Sequence, residues 1–330
     1  MSAVTTRAVR PATDADIPVL ARLMSEGNPR HPITTQTWAH QLQELRGHPL
    51  GPHVEQWLAE ENGPGGRRAL GMALILQPPG MYHPDRYYAE LFVAPTETRR
   101  GVGAALAEAV DLHLRGRGAR EVLAGAYEDQ PWGVEFLVRR GFSEVIRYFD
   151  NVLTLADFGS AAWEGQAPLP AGIRVLSFAD LAAEVGMDPA ITAYHTAFSE
   201  VREDVPRPAP PTPLPLDTFR TRLLDNPLFF PEGILLALTE AGEVVALSEL
   251  ERDDGDPARL NTGLTGTRRA WRRRGLALAL KLAGLKVARE TGVREVWTGN
   301  ASTNRPMLAL NERLGFRPQP AFIQLRWGGV

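Results

Sequence analysis

The sequence predicts a mixed α/β (α+β) fold built twice in tandem, and three observations carry that expectation. The first is length: 330 residues exceed one ordinary core, so about two domains of roughly 150 residues are expected. The second is a recurring order of elements. Strand-like YYAELFV (87–93) leads through APTETRRGVG into the helix AALAEAVDLHLRGRG, and ARLNTGLTGT (258–267) leads through RRAWRRRGLA into LALKLAGLKVARETG. A short strand follows each helix (AREVLAGAY, VREVWTGN), and then a helix ending in Gly-Phe: FLVRRGF (136–142) and LNERLGF (310–316). The third is spacing, because Gly101 and Gly275 lie 174 residues apart, as do Gly141 and Gly315. A constant offset between matching landmarks is the signature of a duplicated unit.

Between these blocks the chain is punctuated by proline. The alternating stretch NVLTL (151–155) ends the first half, and ADFGSAAWEGQAPLPAG (156–172) reads as a linker before the strand IRVLSF. The expected organisation is therefore a first domain 1–155, a linker 156–172 and a second domain 173–330. Within the second half, VPRPAPPTPLPL (205–216) holds six prolines in twelve residues and is neither helix nor central strand. It separates two helix-like stretches, PAITAYHTAF and LDTFRTRLLDN. Such a stiff loop either shapes a ligand cleft or is a plain surface connection. Tyr194 and His195 precede it on the first of those helices, as packing or as substrate contacts. Leu278, Leu280 and Leu285 form the apolar face of their helix and are core.

Composition narrows the function. A net charge of −3, from 36 basic and 39 acidic side chains, is not the basic excess of a duplex-binding protein. Nucleic acid is therefore not an expected partner, and the arginine-rich RRAWRRRG (268–275) needs a local explanation, with a solvated charged face as the plain one. No cysteine is present, which excludes disulfides, thiolate metal sites and a cysteinyl intermediate. The start of the chain lacks a signal-peptide core and no run of 18 apolar residues exists, so a cytoplasmic protein without membrane contact is expected. The seven histidines are scattered without metal-ligand spacing, and no metal site is expected.

The glycine turns carry the chemistry. A strand that breaks into Gly-x-Gly or Gly-x-Ala and opens a helix directs several backbone N–H groups, and the positive end of the helix dipole, at one point. The turns are Thr98-Arg99-Arg100-Gly101-Val102-Gly103-Ala104 and Arg272-Arg273-Arg274-Gly275-Leu276-Ala277. Arginines crowded at a helix N-terminus oppose the dipole and repel one another. A multiply charged anion seated among them makes sense of that pattern. Neither turn is a Walker loop or a dinucleotide fingerprint, since GxxxxGK[ST] and GxGxxG are both absent at the required places.

The succession from Val93 and Pro95 through Arg99-Arg100-Gly101-Val102-Gly103, then helix, strand, helix and Gly-Phe, resembles the GNAT N-acetyltransferase superfamily. The second half, LTGTRRAWRRRGLALALKLAGL…VWTGNASTNRPMLALNERLGF, is similar to the C-terminal half of bacterial tandem GNAT proteins of the mycothiol-synthase type. About 60 residues in each half carry this likeness. It implies two twisted, mainly antiparallel sheets flanked by helices, with the fourth and fifth strands splayed around the pantetheine arm of acetyl-CoA. It also implies that the glycine turns hold the pyrophosphate. The fourth strands would contact pantetheine through Leu91, Phe92 and Val93 in the first site and Thr265, Gly266 and Thr267 in the second. Asn300 and Asn304 match positions that often touch the cofactor. The tyrosine that commonly protonates the departing thiolate is Leu137 in the first half and Asn311 in the second, and Ala126 and Gln130 stand where the second half has the two asparagines.

With no cysteine, direct attack of a substrate amine on the thioester in a ternary complex is the expected route, and it needs a general base. Glu90, on the fourth strand of the first half, is the candidate, with an outward-facing strand residue as its plain alternative. Its counterpart in the second half is Leu264, and Glu249 and Glu251 on the preceding strand are the fallback there. Trp271 either covers an adenine or packs on its own helix. The expected activity is acetyl-CoA-dependent N-acetylation of a small-molecule or peptide amine. The alternative is a CoA-binding protein in which one or both halves have lost catalysis. The expected state is a monomer with internal pseudo-symmetry or a homodimer.

Overall fold

In the computed structural model, residues 6–63 and 66–329 are described. The first half runs β1 (Thr6–Pro11), α1 (Ile17–Gly27), α2 (Thr35–Gly47), β2 (Val54–Gly63), β3 (Gly66–Leu76), β4 (Arg86–Val93), α3 (Val102–Gly116), β5 (Glu121–Tyr127), α4 (Pro131–Val138) and β6 (Ser143–Thr154). The second runs β7 (Ile173–Ser177), α5 (Phe178–Val185), α6 (Met187–Glu203), α7 (Leu216–Leu224), β8 (Ile234–Thr239), β9 (Val244–Arg252), β10 (Arg259–Thr267), α8 (Leu276–Glu290), β11 (Glu295–Ala301), α9 (Arg305–Arg313), β12 (Arg317–Pro318) and β13 (Phe322–Gly328). The helix starts follow their local chemistry. Thr34 caps α2 by accepting from the Thr37 N–H, and Ser177 and Asp180 close a reciprocal capping box on α5.

Two compact units result. The first comprises residues up to Val145 together with Ile323–Val330, and the second comprises Ile146–Phe322. The units are thus not strictly sequential: the last strand of the chain completes the first unit, and most of β6 belongs to the second.

In the first unit the strand order is β1-β2-β3-β4-β5-β13. The β1 to β4 pairings are antiparallel and β4/β5 is parallel. Alternation along β3 divides the core. Ala73 and Ile75 pack with Leu106 and Val110 of α3, whereas Met72 and Leu74 pack with Leu20, Leu23, Trp38 and Leu42 of α1 and α2. The second unit has the order β6-β11-β10-β9-β8-β7, again with one parallel pair, β10/β11. Ile234, Leu236 and Leu238 face α5, α6 and α7, while Leu235 and Ala237 face Leu276 and Leu280 of α8. Each sheet therefore has helices on both faces, as expected from the repeat.

The parallel pairs part early. β4 meets β5 only from Arg86/Glu121 to Tyr88/Leu123, although it stays paired with β3 as far as Val93. β10 meets β11 only from Arg259/Glu295 to Thr262/Thr298. Both sheets thus open a V at the end that feeds the glycine turn. The second V holds one extra residue: the β9/β10 register shifts between Thr262 and Thr265, forming a bulge that β4 lacks. The insertion shows in the numbering, because Arg86 and Arg259, which open the two pairings, are 173 apart while the residues beyond the bulge are 174 apart.

A compensated pair of positions also survives the duplication. Gly27 of α1 faces Phe92 of β4 so closely that an added Cβ would collide with the ring. At the equivalent positions, each 174 residues on, Val201 of α6 faces Gly266 of β10, and a Cβ on Gly266 would collide with Val201. Large and small have exchanged sides at one helix–strand contact. Gly266→Val is expected to destabilise by about 1–3 kcal/mol through overpacking. The double change Val201→Gly with Gly266→Phe restores the arrangement of the first unit and should recover most of that loss in a urea unfolding midpoint.

Candidate active site

The two glycine turns share one backbone. Arg99 and Arg273 have φ of 59° and 61°, and they are the only non-glycine residues at positive φ among those described. Two residues later Gly101 and Gly275 have φ of 84° and 80°. Alternating left- and right-handed residues form a concave nest of N–H groups. Holding an arginine there costs free energy that the first-turn contacts alone do not explain. No side chain caps α3 or α8, so the first-turn N–H groups of Val102, Gly103 and Ala104, and of Leu276 and Ala277, lie at the mouth of each nest. This is the chemistry a pyrophosphate requires.

Most arginines of the opening cluster have other work. Arg268 donates to Glu200 at 2.6 Å and also pairs with Glu243, Arg269 holds Asp204 at 2.7 Å, and Arg272 pairs with Asp204 and donates to the Thr267 carbonyl at 3.1 Å. These bonds tie the turn to the acidic end of α6, and the cluster is locally neutralised. Arg274 stacks over Trp271 at 4.7 Å, and Trp271 packs against the α8 face of the sheet. Arg273 makes no ion pair among the described residues. In the first turn Arg100 is drawn to Glu97 at 3.2 Å, and Arg99 makes no ion pair among the described residues. The two positive-φ arginines are therefore the ones left for a ligand.

Along the V, Leu91 and Val93 lie beside Gly103 on the α3 side, with Phe136 of α4 across from them. In the second unit Thr265 is within 2.9 Å of the Ser248 hydroxyl. Gly266 lies beneath Val201, and Thr267 holds Arg272.

The opposite face of each sheet carries the carboxylates. In the first unit Glu90 joins Tyr88 and Phe92 on the wall of a cavity of ≈ 300 Å³, closed by Asn28, His31, Trp38 and Gln41 of the α1–α2 region. Burial pushes the Glu90 carboxyl up, opposed by a hydrogen bond with Tyr88. The strand glutamate is thus turned inward.

In the second unit the bulge is the centre. A Cβ on Gly263 would lie 2.7 Å from Glu251 Oε1 and closer still to Glu249 Oε2, so both carboxylates converge on the bulge where β10 leaves β11. Glu249 accepts from the Leu264 N–H at 2.6 Å and from the Tyr194 hydroxyl. Burial, reinforced by the charge of Glu251, raises its carboxyl to about 8. Burial raises Glu251 too, opposed by Arg222, but Glu251 keeps an exposed edge, and water screens its share. Tyr194 is buried among Phe178, Phe198 and Phe219, so it is both core and part of this network. His195 instead lies 2.7 Å from the Leu214 carbonyl and helps pin the proline-rich loop, as Arg202 does through Thr212 at 2.7 Å.

On the far arm of the V, Asn300 closes β11 and Asn304 starts α9. Asn311 donates to Asn300 Oδ1 at 2.6 Å. The structure thus joins two of the three asparagines singled out in the sequence. In the first unit Leu137 and Gln130 occupy the matching places on α4. Among the described residues no cluster of three or more His, Cys, Asp or Glu is placed to hold a metal, and no helix is long and apolar enough to cross a membrane.

Comparison with known proteins agrees with this geometry. Residues 20–142 and 195–316 each match the Acetyltransferase (GNAT) family. The chain is 29% identical over 240 residues to the mycothiol acetyltransferase of Clavibacter michiganensis subsp. michiganensis, covering 72% of this chain and 71% of that protein. It is 30% identical to the mycothiol acetyltransferase of Clavibacter sepedonicus, over 72% of each. The tandem GNAT protein from the clavulanic acid biosynthesis pathway shares the fold with a TM-score of 0.73 at 21% identity, over 98% of both chains. A GCN5-related N-acetyltransferase from Sphaerobacter thermophilus does so at 0.67 and 20%, over 98% and 95%.

Proposed function

Because the chain belongs to the GNAT acetyltransferase family, with one copy of the family's fold in each half, we propose that it acetylates a primary amine at the expense of acetyl-CoA. The observation that carries this reading is the convergence of Glu249 and Glu251 on Gly263, at the mouth of a V that ends in an anion nest. Acetyl-CoA supplies an activated thioester. The nests and the arginines at positive φ hold its phosphates, and the open edge of β10 from Thr265 to Thr267 lines the arm. An amine entering from the α6 side meets the carboxylate pair, which removes the proton it must lose before attack. Tyr194 and the Leu264 N–H fix Glu249 in place for that task.

The first unit supports binding more than turnover in this reading. It shares the nest, but β4 has no bulge, and Leu137 stands at the position of the usual acid. Glu90 and its cavity form a second acceptor-like recess, and the acetyl-CoA site beside it is proposed to serve binding. The acceptor is proposed to be a small-molecule amine, and the relatives' name makes a mycothiol-related amine the first to assay.

Calorimetric titration with acetyl-CoA tests the proposal. Two equivalents are expected, with thiol release appearing only when an amine is supplied. One equivalent would restrict binding to a single unit, and none would overturn the function.

A further inference from the structure

Only two lysines occur among the 36 basic residues of this chain, Lys281 and Lys286. Lys286 is exposed beside Glu290. Lys281 is 4% exposed, lies on the sheet-facing side of α8 six residues beyond Gly275, and makes no ion pair or hydrogen bond among the described residues. Its ammonium stands 5.3 Å from the centre of the Phe316 ring. Phe316 follows α9, and its N–H donates to the Asn311 carbonyl at 3.0 Å. Asn311 is fully buried, and its Oδ1 has no hydrogen-bond partner. A buried donor and a buried acceptor, each unsatisfied, thus flank the same α8–α9 seam behind the open V. Groups left unsatisfied in this way cost stability and call for a role beyond packing.

The sheet separates this seam from the carboxylates. Glu249 points to the α6 face, through Tyr194, while Lys281 belongs to α8 on the other face. The proposed acetyl transfer needs one proton on each side. The bond from acceptor nitrogen to acetyl carbon forms, the carbon–sulfur bond breaks, and sulfur departs with the electron pair. The amine gives one proton to the carboxylate pair, and the sulfur takes one up.

Resting on that reading, we propose that Lys281 donates the proton that the departing CoA sulfur takes up in the second unit, with Asn311 Oδ1 orienting the ammonium. Asn311 holds the place of the family's usual acid and has no proton of suitable acidity, so the adjacent lysine takes the role. Lysine suits it where arginine does not, because a guanidinium cannot be deprotonated in a protein. Burial alone lowers Lys281 to about 8, close to a thiol and far below an exposed lysine. The neighbouring charged residues on α8 and α9, Lys286, Glu290, Glu312 and Arg313, are exposed.

The test uses the full chain and two readouts. Isotopic labelling at lysine gives two side-chain NMR signals, one per residue. The Lys281 signal is expected to titrate near pH 8 and to move on addition of CoA, while the Lys286 signal does not. Lys281→Met and Lys281→Arg are expected to lower kcat at least ~10²-fold, the usual scale of acid–base catalysis, and to lose the alkaline fall of the wild-type rate. Methionine in place of an unpaired buried ammonium should leave unfolding stability equal or higher. A Lys281 signal indifferent to CoA, or variants that keep the wild-type kcat and pH profile, would overturn the assignment while acetyl-CoA binding and turnover left the proposed function standing. Absence of acetyl-CoA binding would remove both.

Discussion

Glu249→Gln is expected to lower turnover about 10²- to 10⁴-fold, the range for loss of a positioned general base, while acetyl-CoA binding changes little. The side chain sits at the bulge, held by Tyr194 and the Leu264 N–H, and an amide there keeps the shape without accepting a proton. Wild-type kcat/KM should rise with pH through about 8, where Glu249 loses its proton, and that rise should vanish in the variant. Stability moves the other way. A carboxyl raised above its unfolded value contributes stability that is complete below about pH 4 and is lost as pH climbs through the folded value. Wild-type thermal stability should therefore decline between about pH 5 and about pH 9, and Glu249→Gln should flatten the decline. Glu90→Gln is the comparison. If it abolishes turnover while Glu249→Gln does not, the chemistry belongs to the first unit and its cavity.

Gly275→Val is expected to remove one equivalent of acetyl-CoA from the calorimetric stoichiometry without unfolding the protein. No atom lies within 4 Å of a Cβ placed on Gly275, so nothing in the protein is displaced. The damage is to the backbone, because φ of 80° is hostile to a β-branched residue. Relaxing it turns the nest away from the anion. Losing two charge-assisted hydrogen bonds at about 1.5–3 kcal/mol each weakens binding by roughly 10²- to 10⁴-fold. Gly101→Val should do the same to the first unit, where φ is 84° and the surroundings of the missing Cβ are equally open. The double variant should bind none. Full stoichiometry in both single variants would sink the nests as phosphate sites.

Much of this was legible before any coordinates. The 174-residue repeat, the strand–turn–helix order and the small residues Gly101, Gly103, Gly275 and Ala277 specified a duplicated fold with two anion turns. These are local signals, written by backbone conformation and periodicity, and the chain obeys them in both halves. Glu90 was identifiable for the same reason, since alternation along a strand fixes its face once the neighbours are known.

What tertiary structure decided were matters of partnership. The arginines of 268–274 looked equivalent in the sequence, yet Glu200, Glu243 and Asp204 claim Arg268, Arg269 and Arg272, leaving Arg273 in the nest. The β10 bulge adds one residue that composition does not mark, and it turns Glu249 and Glu251 from fallback candidates into the centre of the second unit. Lys281 read as one more residue on an apolar helix, and only burial without a partner distinguishes it. The physical reason is common to all three. Sequence fixes which groups can ionise and which backbone shapes are permitted, whereas desolvation and pairing depend on residues distant in the chain. Those two effects set the charge of a carboxylate or an amine, and so they decide which of the many charged side chains can move a proton.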